Sequence, residues 1–101
     1  MIRFDPGVRI AYMSWPLAEL FAAAAWWSGR FGIDLVFFAI EDPIPSSPPR
    51  HGMSLAADFS TEGAAAEDLA QLHAWLLGVL PAPWTVSLAA DRVSVEWEVG
   101  E

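Results

Sequence analysis

The sequence predicts an α+β domain, a mainly antiparallel sheet of about four strands with two main helices packed on one face. Three observations predict it. Two stretches carry apolar residues at helical spacing: Leu17, Leu20, Phe21, Ala24 and Trp27, then Ala65, Leu69, Leu72, Leu76, Val79 and Leu80. A later stretch alternates strictly, with Val93, Val95, Trp97 and Val99 on one side and Arg92, Ser94, Glu96 and Glu98 on the other. The length, 101 residues, suits a single domain with one core.

In chain order, Val8 to Tyr12 alternates weakly and reads as a short extra edge strand. Ser14 is a favoured N-cap and Pro16 is tolerated in a first turn, so a helix is expected over about Trp15 to Ser28. Gly29 and Gly32 supply its stop. Ile33 to Ile40 is apolar at both parities and reads as a central strand buried on both faces. Residues 41–50 hold Pro43, Pro45, Pro48 and Pro49, which exclude helix and paired strand alike. This is an exposed, stiff loop, either a solvated connector or a binding arm.

Leu55 to Phe59 reads as a strand, with Leu55, Ala57 and Phe59 on one face and Ala56 and Asp58 on the other. Thr61, Glu62, Glu67 and Asp68 place caps and acids near the second helix start. Pro81 and Pro83 end that helix. Trp84 to Ala89 is a short strand, and Ala90-Asp91 turns the chain into the last one.

Composition bounds the function. The formal net charge is −8, with five arginines and no lysine. Five scattered arginines make no basic patch, so nucleic acid and anionic membrane surfaces are disfavoured partners. The most apolar stretch, Trp15 to Trp27, contains Pro16 and Glu19 and is too short for a membrane span. Residues 1–7 lack the pattern of a signal peptide, and without cysteine there is no disulfide framework or thiolate site. An apolar fraction of 54% with six tryptophans predicts more apolar surface than one small core can hide. Protein partners or self-association are therefore expected, with Trp15, Trp26, Pro45, Pro48 and Trp84 as candidate binding residues.

The chemistry-bearing stretch is His51 to Asp58, a histidine and a strand carboxylate with six residues between them. An aspartate in a strand is costly to bury unless something pairs with it, and a metal shared with His51 or an arginine would do so. Two ligands do not make a zinc site, which usually takes three protein ligands. His73 sits mid-helix and reads as a partly exposed surface histidine. Glu96 and Glu98 reach either a metal or solvent. Phosphate-binding glycine loops and Gly-x-Ser-x-Gly nucleophile contexts are absent.

His51 to Asp58 resembles the His-x-x-Gly-x-Ala-x-Asp signature of the zinc family of D-alanyl-D-alanine carboxypeptidases and L-alanyl-D-glutamate peptidases, with Ser54 at the glycine position and Ala56 at the alanine position. The chain looks most like small phage-encoded members, through Phe4 to Ile10, Gly32 to Val36 and Asp58-Phe59-Ser60-Thr61. The resemblance implies the hedgehog/DD-peptidase fold as a single domain over 1–101, with His51 and Asp58 as zinc ligands. It also implies a closing strand bearing Glu-x-x-His-x-His-Val-Glu.

That closing strand departs from the pattern. The catalytic glutamate position falls on Ala89, the zinc-binding histidine on Arg92 and the second histidine on Ser94, while Val95-Glu96 fits. A fixed positive charge at a ligand position opposes a dication. The expectation is a non-catalytic descendant without cofactor, in which Arg92 pairs bidentately with Asp58. It would act as a structural or accessory component of a phage particle, in the virion or the host cytoplasm. The alternative is a working zinc cell-wall peptidase, with Glu96 as third ligand and Glu98 as base.

Overall fold

A computed structural model describes residues 1–8, 15–41 and 53–99. Helix α1 (Trp15–Phe31) forms on the expected stripe, burying Leu17, Leu20, Ala24, Trp27 and Ser28. It runs three residues beyond the expected end because Gly29, inside the helix, leaves its backbone pattern intact. The stop is Gly32, which takes a positive φ of 68° and donates its N–H to the Ser28 carbonyl at 2.8 Å. The Ser14 cap lies outside the described residues.

Helix α2 (Ala66–Val79) buries Leu69, Leu72 and Leu76, with Glu67 and Asp68 in its first turn. Its N-cap is Ala65, which makes no side-chain cap bond. Thr61, an expected cap, instead ends a strand, and Gly63 and Ala64 make the intervening turn with positive φ. Val79 points outward and Leu80 closes the buried stripe. The Leu80 N–H still bonds to the Leu76 carbonyl, but proline follows and the helix cannot continue.

The sheet has five strands rather than four: β1 (Ile2–Phe4), β2 (Leu35–Glu41), β3 (Met53–Thr61), β4 (Trp84–Leu88) and β5 (Val93–Val99), in the order β1-β2-β3-β5-β4. Among the described residues, only the β1–β2 pairing is parallel. An edge strand is present at Ile2–Phe4, followed by a turn in which the Val8 N–H donates to the Asp5 carbonyl; the strand expected over Val8 to Tyr12 lies outside the described residues from position 9 on.

Both helices and one sheet face share a single core. Leu35 and Phe37, then Leu55, Ala57 and Phe59, then Val93, Val95 and Trp97 meet the helix stripes there. Strand β2 is therefore buried on one face, not both: Val36 and Phe38 are only half-buried. Its register shifts between Phe37 and Ala39, so Phe37 faces Phe59 while Ala39 faces Asp58. The bulge sets Phe38 apart from the ladder.

Candidate functional site: the open face of the sheet

The sheet face away from the helices carries Asp58, Ser94 and Glu96 among the residues singled out from sequence. Strands β3 and β5 pair antiparallel, with Asp58 opposite Ser94 and Ala56 opposite Glu96. Alternation then puts Asp58, Ser94 and Glu96 on one side. Ser94 Oγ donates to Asp58 Oδ1 at 2.6 Å. Asp58 is half-buried, so this charge-assisted bond offsets part of its lost hydration.

The expected bidentate pair between Arg92 and Asp58 is corrected. Arg92 donates from Nε to Asp91 Oδ1 at 3.2 Å and from Nη2 to Asp91 Oδ2 at 3.4 Å. Its guanidinium carbon stands 4.9 Å from the centre of the Phe38 ring. The physical reason is proximity: Asp91 is the adjacent residue, the β2 bulge supplies an aromatic platform, and the Asp58 oxygen already accepts from Ser94. The hydrogen bond and the charge of Arg92 hold the Asp91 carboxyl below the usual aspartate range. The same contact raises the guanidinium, to which Asp58 adds the smallest contribution.

Glu96 and Glu98 are exposed. They line a cleft of about 270 Å³ with Leu55, Ala56, Pro83, Thr85 and Trp97. Ala89 lies at the β4–β5 turn, its N–H donating to the Arg92 carbonyl at 2.9 Å. His73 is half-buried on α2, in the helix layer on the other side of the sheet from Asp58. His51, Pro45 and Pro48, with the rest of the proline arm, lie outside the described residues.

Among the described residues the groups beside Asp58 are a poor donor set for zinc, and His51 lies outside them. A serine hydroxyl occupies one carboxylate oxygen and a permanent cation stands near, whereas zinc takes neutral imidazole, thiolate or carboxylate. Among the described residues, no three His, Asp or Glu side chains converge as a metal site.

The candidate binding tryptophans divide. Trp15 is 66% exposed and meets Trp97 edge-on at 5.4 Å. Trp26, 56% exposed, stacks on Trp75 across the two helices at 5.4 Å. Trp84 is corrected from binding surface to core: it is 7% exposed, and its Nε1 donates to Glu19 Oε1 at 2.9 Å. Sequence reasoning missed both the Asp58–Ser94 and the Trp84–Glu19 bonds. The alternation of β5 was the available signal for the first; nothing local signalled the second.

Ser94→Ala is expected to lower stability by about 1 kcal/mol, the usual net worth of such a bond at a half-exposed site. Urea unfolding of the two chains checks it.

No protein family model, curated protein or solved structure matches this chain.

Proposed function

We propose that the chain is a non-catalytic protein-binding module on a peptidase-like scaffold, serving as a structural or accessory component of a phage particle or phage-like assembly. The observation that carries the non-catalytic reading is the Asp58–Ser94 bond. Asp58, the residue equated with a zinc ligand, lies directly opposite Ser94, equated with a lost histidine. That the two stretches carrying the resemblance lie on adjacent strands supports this reading. Ser94 Oγ and Asp58 Oδ1 are partnered with each other, where a metal centre would need free donors. The helix, strand, strand, helix, strand, strand order after β1 also supports the scaffold. The assembly role rests on the resemblance to phage-encoded proteins and is supported by exposed Trp15 and Trp26.

Glu96 and Glu98, on the Asp58 side of the sheet and lining a cleft, favour the rival reading of a zinc cell-wall peptidase. Metal content separates the two. The protein purified without chelator is expected to carry no stoichiometric zinc and to release no D-alanine or D-glutamate from muropeptides. Tightly held zinc with either release would overturn the proposal. The double substitution Ala89→Glu with Arg92→His is expected to create zinc affinity, read by calorimetry; none would remove the scaffold assignment.

A further inference from the structure

The two edges of the sheet are treated differently. Strand β1 is three residues long, and its Arg3 forms ion pairs with Asp34 at 3.4 Å and Glu62 at 3.5 Å. A very short, charged edge discourages another strand from adding. Strand β4 has neither protection: it is five residues long, Trp-Thr-Val-Ser-Leu, without charge or bulge. Residues 74–90 contain no Asp, Glu, Lys or Arg, in a chain of net charge −8.

Its hydrogen-bonding groups are open. At the hairpin turn the Ala89 N–H donates to the Arg92 carbonyl. Antiparallel alternation then turns the backbone groups of Thr85 and Ser87 towards β5 and those of Val86 and Leu88 away from it. The Trp84 N–H is taken by the Pro81 carbonyl, but no described residue takes the outward groups of Val86 or Leu88.

An apolar shelf stands beside this edge. Helix α2 packs against β4. Trp75 on α2 faces α1, stacked on Trp26. Leu77 lies about 200° round the helix from it, on the flank away from α1, and is 56% exposed. Leu88, at the end of β4, is 45% exposed.

We infer that β4 is a self-association edge, on which a second copy of this chain adds its own β4 antiparallel about a two-fold axis at Val86. The strand is self-complementary in that register. Val86 exchanges both backbone bonds with Val86 of the second copy, and the Leu88 N–H reaches the Trp84 carbonyl across the axis. Leu88 covers Trp84, and Thr85 sits beside Ser87. The near-palindrome Trp-Thr-Val-Ser-Leu selects a second copy as the occupant, and because residues 74–90 carry no charge two chains of −8 meet here with no carboxylate of that stretch opposed to another. The inference names a partner for the protein-binding reading and rests on the strand edge rather than on the lost zinc chemistry.

Light scattering tests it. The chain is expected at twice its 11.0 kDa mass, with slow hydrogen exchange at the Val86 and Leu88 amides. Leu88→Lys, at an exposed position, is expected to raise the dimer dissociation constant about tenfold or more. Val86→Pro removes the outward donor at the axis and is expected to give a monomer of unchanged helical circular dichroism; should it unfold, Leu88→Lys decides. A wild-type monomer at sub-millimolar concentration, a larger assembly, or a dimer untouched by Leu88→Lys would overturn the inference. A monomer free of zinc would still leave the non-catalytic reading standing.

Discussion

Replacing Phe59 with alanine is expected to remove about 3–5 kcal/mol of stability, the range for deleting a buried phenylalanine. Phe59 is fully buried on β3, the middle strand of the sheet. It stacks on Phe37 at 4.6 Å between ring centres and stands opposite Val93. Phe37 in turn meets Phe21 edge-on at 5.3 Å and Phe4 at 5.7 Å. One deletion therefore opens a cavity and loosens an aromatic cluster that ties β1, β2, β3 and α1 together. Domains of this size are stable by roughly 5–15 kcal/mol, so the loss takes a large share. Urea unfolding followed by circular dichroism checks it: the midpoint should fall with an unchanged slope. Phe59→Leu, which fills most of the space, should lose much less.

Glu19→Ala is expected to lower stability by about 1–3 kcal/mol, because it strands the indole N–H of buried Trp84. Leaving a donor on a buried side chain unpaired is more damaging than losing a contact, because its desolvation is no longer offset. The bond joins α1 to the edge strand β4, so the near-ultraviolet signal of Trp84 should weaken as well. Glu19→Gln keeps an acceptor oxygen and should retain most of the stability. Equal losses for alanine and glutamine would show that charge, rather than satisfaction of the indole, is what matters there.

The helices and the alternating strands were legible because each has a strong period. Leu17, Leu20, Ala24 and Trp27 repeat at helical spacing, and all four are buried. Val93, Val95 and Trp97 alternate, and all three are buried. What escaped was either too short for a period or depended on distant chain. Ile2–Phe4 is three residues, one of them Arg3, and becomes a strand only because β2 offers it an edge. The bulge at Phe38 hides in Val-Phe-Phe-Ala-Ile, where every position is apolar and no parity stands out. Gly29 and Gly32 look alike in sequence; only the second takes the left-handed conformation that ends the helix.

The same division holds on the open face. The need of Asp58 for a partner follows from its strand position. The choice of Ser94 over Arg92 does not, because it rests on cross-strand register and on Asp91 competing for the guanidinium. Among the tryptophans, composition foretold apolar surface, as Trp15 and Trp26 bear out. It had no means of seeing that Glu19 claims Trp84 for the interior.

The insertion of β5 between β3 and β4 has a consequence for synthesis. While the chain is still being made, Leu55, Ala57 and Phe59 have β2 on one side and nothing on the other until the sequence through Val99 leaves the ribosome. The β4–β5 hairpin must then dock as a unit to complete the sheet. For seconds at the usual ~5–20 residues per second, the nascent polypeptide shows a bare apolar strand, the kind of surface chaperones are there to shield.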